Sequence, residues 1–145
     1  MVNPIRPVRL FDTEWVEMCS YTYWYIIIMA WIPYQVYCYM NIPEENTTGQ
    51  TLFYWAYGVV GWTIMEYLLH RFLFHMEDHW YFPNWPPFWV FHFTIHGIHH
   101  AFPQDPGRIV MPPIAGYGFF IFIIKPIWDT ILPLHGQHAF YIGMA

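Results

Sequence analysis

Residues 21–40, from Tyr21 to Met40, run without a single formal charge, and Trp and Tyr crowd both ends of the run. A helix needs roughly 20 predominantly apolar residues to cross the hydrocarbon core of a bilayer. Indole and phenol rings favour the headgroup level at either end of such a helix. No water-soluble fold has an easy place for this segment unless the rest of the chain supplies a polar surface, and it does not. Only 10% of the 145 residues are charged, while 57% are hydrophobic and 23% aromatic. A soluble domain carries about 25% charged residues, so lipid must cover much of this one. The sequence therefore predicts an all-α, integral membrane protein, because lipid leaves backbone groups to be satisfied within each spanning helix.

Two further stretches have spanning character. Thr51 to Leu69 is broken only by Glu66 near its end. Pro112 to Leu134 is longer but interrupted by Lys125, Pro126 and Asp129, which allows one kinked span or two half-embedded helices. A fourth apolar segment begins at Ala139. The expected architecture is three to four hydrophobic helices plus a short amphipathic interfacial helix at Trp85 to His100. Residues 1–20 are expected to form an N-terminal interfacial segment, and 21–145 the membrane-embedded domain. Residues 1–20 contain charges but no apolar stretch before a small-residue cleavage site, so the first span is expected to act as an uncleaved anchor. Asn41 to Gln50 and the cluster Pro103 to Arg108 read as polar connectors.

The charges also limit partners and orientation. A net charge of −5 without a lysine or arginine cluster argues against nucleic acid, whose binding depends on neutralising phosphates. Arg6, Arg9, Arg71 and Arg108 flank the first two spans on one side, and the 41–50 loop carries only Glu44 and Glu45. The positive-inside rule then puts the N-terminus and the histidine-rich region on the cytosolic side, or the matrix side of a mitochondrial membrane. The sequon at Asn46 would lie opposite and is read as a chance match. Cys19 and Cys38 form no CxxC pair and read as apolar fillers.

Nine histidines are present, and seven of them lie between positions 70 and 100: His70, His75, His79, His92, His96, His99 and His100. Imidazole is the commonest neutral nitrogen ligand for iron and zinc, and ionisable side chains beside membrane spans are costly enough to signal function. Interfacial preference accounts for one or two rings, not for two clusters. On a helix, His92, His96, His99 and His100 make one stripe. His70 and His75 lie roughly 140° apart on an ideal α-helix, so they share a site only where the helix ends, bulges or is flanked by a second metal. Glu66, one turn before His70, is placed either to fix the His70 ring by accepting its other N–H or to pair with Arg71. His79 and His92 are additional possible ligands.

The strings EYLLHRFLFH (66–75) and HFTIHGIHHAFPQDPGRIVMPP (92–113) closely resemble those of fatty acid 2-hydroxylases, within the membrane fatty acid hydroxylase and sterol desaturase superfamily. The resemblance runs over roughly residues 8 to 134 and is strongest from 62 to 113. It implies a helical membrane oxygenase with a cytosol-facing site for two iron ions, zinc being the alternative metal. His70, His75, His96, His99 and His100 match the family's ligand positions. Such an enzyme hydroxylates C2 of a long acyl chain with O2 and electrons from a cytochrome b5-type donor. It would reside in the endoplasmic reticulum.

Members of the family also carry two more histidine clusters, which are not found here. His135 and His138 are expected in the loop after the third span, as incidental or interfacial residues. The expectation is thus the ligand-bearing N-terminal half of a hydroxylase, inactive as a lone chain. The rival expectation is a catalytically inactive, hydroxylase-like structural subunit of a larger membrane complex, with the mitochondrial inner membrane as a possible home. A single stabilising metal is a third possibility.

Overall fold

The computed structural model describes residues 8–78 and 83–145, and among them every regular element is helical. The elements are α1 (Glu14–Ser20), α2 (Trp24–Met40), α3 (Thr48–Leu68), α4 (Pro86–His92), α5 (Ile98–Ala101), α6 (Pro113–Phe119), α7 (Lys125–Ile131) and α8 (Leu134–Met144). Three π-helical turns are spliced into this series: Leu69–Phe74 after α3, Phe93–Gly97 between α4 and α5, and Phe120–Ile124 between α6 and α7. The chain clusters into two compact units, one of Met1–Ala30 and Tyr81–Phe120, the other of Trp31–Trp80 and Ile121–Ala145.

The second unit is built on α3 and α8. Thr47 caps α3 by accepting from the Gln50 backbone N–H, while the Gln50 side chain accepts from the Thr47 N–H. That reciprocal pair satisfies two donors which the first turn would otherwise leave bare. Further along, Gly58 and Gly61 are the buried residues of α3. A Cβ on Gly58 would lie 2.1 Å from the Phe140 carbonyl oxygen, and one on Gly143 would lie 2.0 Å from that of Trp55. The two backbones thus approach closely through small residues, the contact favoured between helices that gain nothing from hiding apolar surface from lipid. Phe140 fills the crossing, with its ring centroid 4.7 Å from that of Trp128 and 5.3 Å from that of Tyr57.

The first unit is closed by a buried polar clasp. Arg108 is fully buried at its side chain. It donates to the carbonyl oxygens of Ser20 and Val8, to the Ser20 hydroxyl and to the Glu17 carboxylate. Its guanidinium also stacks 4.9 Å from the Tyr21 ring centroid. Asp105 accepts from the backbone N–H groups of Val8 and Gly107. Gly107 admits the Tyr21 ring, whose nearest atom would be 1.9 Å from any Cβ there. Burial pushes the Glu17 carboxyl up, but the N–H groups of Phe11 and Leu10 and the Arg108 charge more than offset this and hold it below its ordinary value.

Several sequence expectations shift. The first apolar helix begins at Trp24 rather than Tyr21, because Thr22 pairs in extended backbone with Gly107. The second starts at Thr48, where the capping box lies. Pro113–Ile131 is helical throughout, so Lys125 and Pro126 do not divide it; Pro126 occupies the opening of α7, where the preceding π turn relaxes the need for its N–H. This is one helix long and apolar enough to cross a membrane. His135 and His138 lie on α8, not in a loop. Pro133 starts that helix five residues earlier than the apolar pattern from Ala139 suggests.

Candidate functional site

In the second unit, the 69–74 turn solves the spacing problem of His70 and His75. The His75 N–H donates to the His70 carbonyl at 3.0 Å, a bond that closes after five residues rather than four. One residue is thereby absorbed, and the two imidazoles come to face each other with ring centroids 4.9 Å apart. A π turn of this kind is rare and is often associated with functional sites. The His75 Nδ1 also lies 3.7 Å from the Glu77 carboxylate.

Both rings line an open cavity of about 570 Å³ together with Thr63, Glu66, Tyr67 and Arg71. These residues fall at helical spacing on one face of α3 and its continuation. Glu66 shares that cavity with His70, but neither of its anticipated bonds is made: among the described residues it contacts neither the His70 ring nor Arg71 by hydrogen bond or ion pair. Arg71 donates instead to the Tyr67 hydroxyl at 2.7 Å, one turn back. Tyr67 was not singled out from the sequence, and Arg71 was read only as an orientation charge or a partner for Glu66; their i, i+4 spacing was the available signal.

In the first unit, the second cluster follows another π turn, Phe93–Gly97, and runs into α5. His96 is buried at 3% exposure. Its Nε2 lies 3.0 Å from Nε2 of His100, and its ring centroid is 4.4 Å from that of His99. His99 and His100 are themselves 4.3 Å apart, while His92 stands further off, 6.1 Å from His96. The stripe expected of a plain helix is therefore drawn in around His96. His79 lies outside the described residues. His135 bonds through Nε2 to the Tyr54 hydroxyl at 3.0 Å, and its carbonyl accepts from Asn46. His138 packs against Tyr37. His135 thus bonds at the surface of the second unit, and His138 is half-buried.

No protein-family model matches the chain. It is 34% identical to the ceramide very long chain fatty acid hydroxylase scs7 of Schizosaccharomyces pombe, over 91% of this chain and 35% of that protein. It is 36% identical to the dihydroceramide fatty acyl 2-hydroxylase FAH2 of Arabidopsis thaliana, over 85% of this chain and 48% of that protein. A solved structure of full-length scs7p, in which only the hydroxylase domain is visible, matches with a TM-score of 0.78. The identity is 33%, over 93% of this chain and 50% of that one. The chain is homologous, over most of its own length, to the fatty acid 2-hydroxylases.

It spans about a third to a half of the length of the curated relatives it matches. Within that span, the histidine groups of this fatty acid 2-hydroxylase homologue suit a metal in their chemistry. The Nε2 atoms of His96 and His100 lie 3.0 Å apart, close enough to bond to each other or to a shared ion. Each unit thus presents neutral nitrogen donors that could hold a metal ion.

Proposed function

We propose that this chain is the part of a membrane fatty acid 2-hydroxylase that supplies five histidine ligands to two iron ions. His70 and His75 come from one unit, and His96, His99 and His100 from the other. The reading rests chiefly on how the rings are gathered. The π turn at 69–74 brings together His70 and His75, which a regular α-helix would hold roughly 140° apart, and the rings of His96, His99 and His100 crowd within 4.8 Å of one another.

Bound there, iron would supply the activation of O2 and the cleavage of an unactivated C–H bond. In the overall reaction, one oxygen atom enters the C2–H bond of a long acyl chain. The other leaves as water, using two electrons and two protons from an external reductant of the cytochrome b5 type. The protein's own residues hold the donors in register. They also keep the acyl chain in an apolar, water-poor setting. Glu66, across the cavity from no partner of its own, orients ligands from behind or joins them; His79 and His92 are auxiliary positions.

The setting is a bilayer. The apolar helix Pro113–Ile131, α2 and α3 are membrane-embedded, and the N-terminal segment is interfacial. The substrate class is a ceramide-type acyl lipid, in keeping with the names of the relatives, and the endoplasmic reticulum is the compartment.

The test is this chain co-produced with a complementing C-terminal hydroxylase half in cells whose own 2-hydroxylase is deleted, with elemental analysis of the purified protein beside lipid mass spectrometry. About two irons per chain and a rise in 2-hydroxy acyl lipids are expected. His99→Ala/His100→Ala should abolish both. Unchanged 2-hydroxy acyl content in that double variant would sink the oxygenase reading.

A further inference from the structure

Hydroxylation at C2 places the acyl carbonyl one bond from the carbon that reacts. Any group that recognises the carbonyl oxygen must then sit in the same cavity as the metal-ligating histidines. This argument rests on the oxygenase reading, and it turns attention to the donors that share the His70 and His75 cavity.

A carbonyl oxygen accepts hydrogen bonds and cannot give them. Glu66 as a carboxylate is ruled out as its partner for that reason. Thr63 is committed, since its hydroxyl donates to the Val59 carbonyl at 2.9 Å. Tyr67 and Arg71 remain. The Tyr67 oxygen already accepts from Arg71 Nη1, so its own proton is directed away from the guanidinium. Arg71 has five N–H donors, of which this bond uses one. Its charged plane is held in place over the rings of Tyr67 and Phe72, 5.8 and 5.6 Å from their centroids. A hydroxyl polarised by a fixed guanidinium is a strong donor.

The same face of α3 continues away from this pair as Val59, Val60, Ala56 and Leu52, all exposed. It is the face opposite Gly58 and Gly61, which α8 covers. From Tyr67 to Leu52 the helix rises about 22 Å. Two polar donors at one end of a long apolar track match a long acyl chain with one oxygen-bearing head. We propose that Tyr67 and Arg71 bind the carbonyl oxygen of the acyl substrate and thereby set which carbon faces the metals.

The experiment compares wild type, Tyr67→Phe, Arg71→Gln and Arg71→Lys, each purified into lipid nanodiscs. Two quantities are read: affinity for a long-chain N-methyl amide against the n-alkane of equal length, and the position of the hydroxyl in any product. Wild type should prefer the amide by about tenfold, the worth of a charge-assisted hydrogen bond. Tyr67→Phe and Arg71→Gln should bring the two ligands within about twofold while leaving alkane affinity unchanged, which also shows that they fold. Their product should contain 3-hydroxy as well as 2-hydroxy acyl chains, and Arg71→Lys should restore part of the preference. Variants that keep the amide preference and a pure 2-hydroxy product overturn the proposal. If wild type binds no iron the oxygenase reading falls, and the amide preference still decides for or against the pair.

Discussion

Arg108 shows how much of this chain's order is concentrated in single polar residues. Five acceptors or ring faces converge on one guanidinium with no exposed side-chain surface, and only its Nε lacks a partner. Arg108→Ala strands the Glu17 carboxylate and two carbonyls in a dry setting, so a loss of about 3–5 kcal/mol is expected, read as the thermal midpoint in detergent. The Glu17 carboxyl adds a pH dependence. Its folded value is depressed, so its contribution is intact above the unfolded value of about 4.3 and disappears as pH falls through the lower folded value. Proteolytic release of the segment before α1 should therefore rise in wild type only below about pH 4, whereas Glu17→Gln should show no such step. A release curve identical in the two proteins would show that Glu17 does not govern the clasp. No local pattern pointed to this arrangement beyond the rarity of charges. Arg108 looked like an orientation signal, and Asp105 like a turn residue, because the 88-residue separation between Arg108 and Ser20 is invisible to local patterning.

The elements were legible where periodicity speaks and obscure where one residue changes the turn. Helix α2 and most of α3 follow from apolar length, whereas the Thr47–Gln50 capping box that opens α3 lies in what reads as a polar connector. The His70–His75 pair is different: its five-residue spacing announced that an ordinary α-helix would not serve, but not which remedy the chain uses. The π turn is that remedy, and it depends on backbone bonding that side-chain pattern does not encode. His135 and His138 were misplaced for a related reason. A helix of eleven residues containing Gly, Gln and two His has little apolar signature, and it exists because α3 presents a glycine-lined surface to it. That dependence is testable at the crossing. Gly58→Ala and Gly143→Ala each thrust a methyl into a facing backbone carbonyl, which cannot swing aside, and each should cost about 3 kcal/mol. The same gap serves both: the Gly58 Cβ position is 3.1 Å from the Gly143 Cα. Once the helices have separated, the second methyl should add much less than the first, so a double-mutant cycle should give a coupling of more than about 1 kcal/mol. Strict additivity would mean that the two contacts are independent.

For the whole molecule, the question is which solvent the exterior is built for. Its outward surface includes Phe122 at 80% exposure, Leu134 at 82% and Met40 at 77%, while Arg108, Asp105 and His96 are among the most buried residues. In water this distribution would be self-defeating, since contiguous apolar surface of that kind drives association. In lipid it is the stable arrangement, because hydrocarbon has no use for charges and neither attracts nor repels exposed Phe and Ile. Composition alone had already excluded a soluble surface, so this was the most legible property of the chain. The two solvents make opposite predictions for one substitution. Phe122 stands at the middle of Pro113–Ile131 and makes its outermost face. If that helix sits in a bilayer, Phe122→Lys places an ammonium near the hydrocarbon centre. Insertion should then become less favourable by about 3 kcal/mol, measured as the inserted fraction of this segment in a microsomal glycosylation assay, with Phe122→Leu close to neutral. If water surrounds it, the same lysine replaces an exposed ring on a surface position, where substitutions usually stay within about 0.5 kcal/mol, and solubility without detergent should improve. A more soluble, equally stable Phe122→Lys protein would remove the bilayer from the argument, and with it the lipid-facing track along α3.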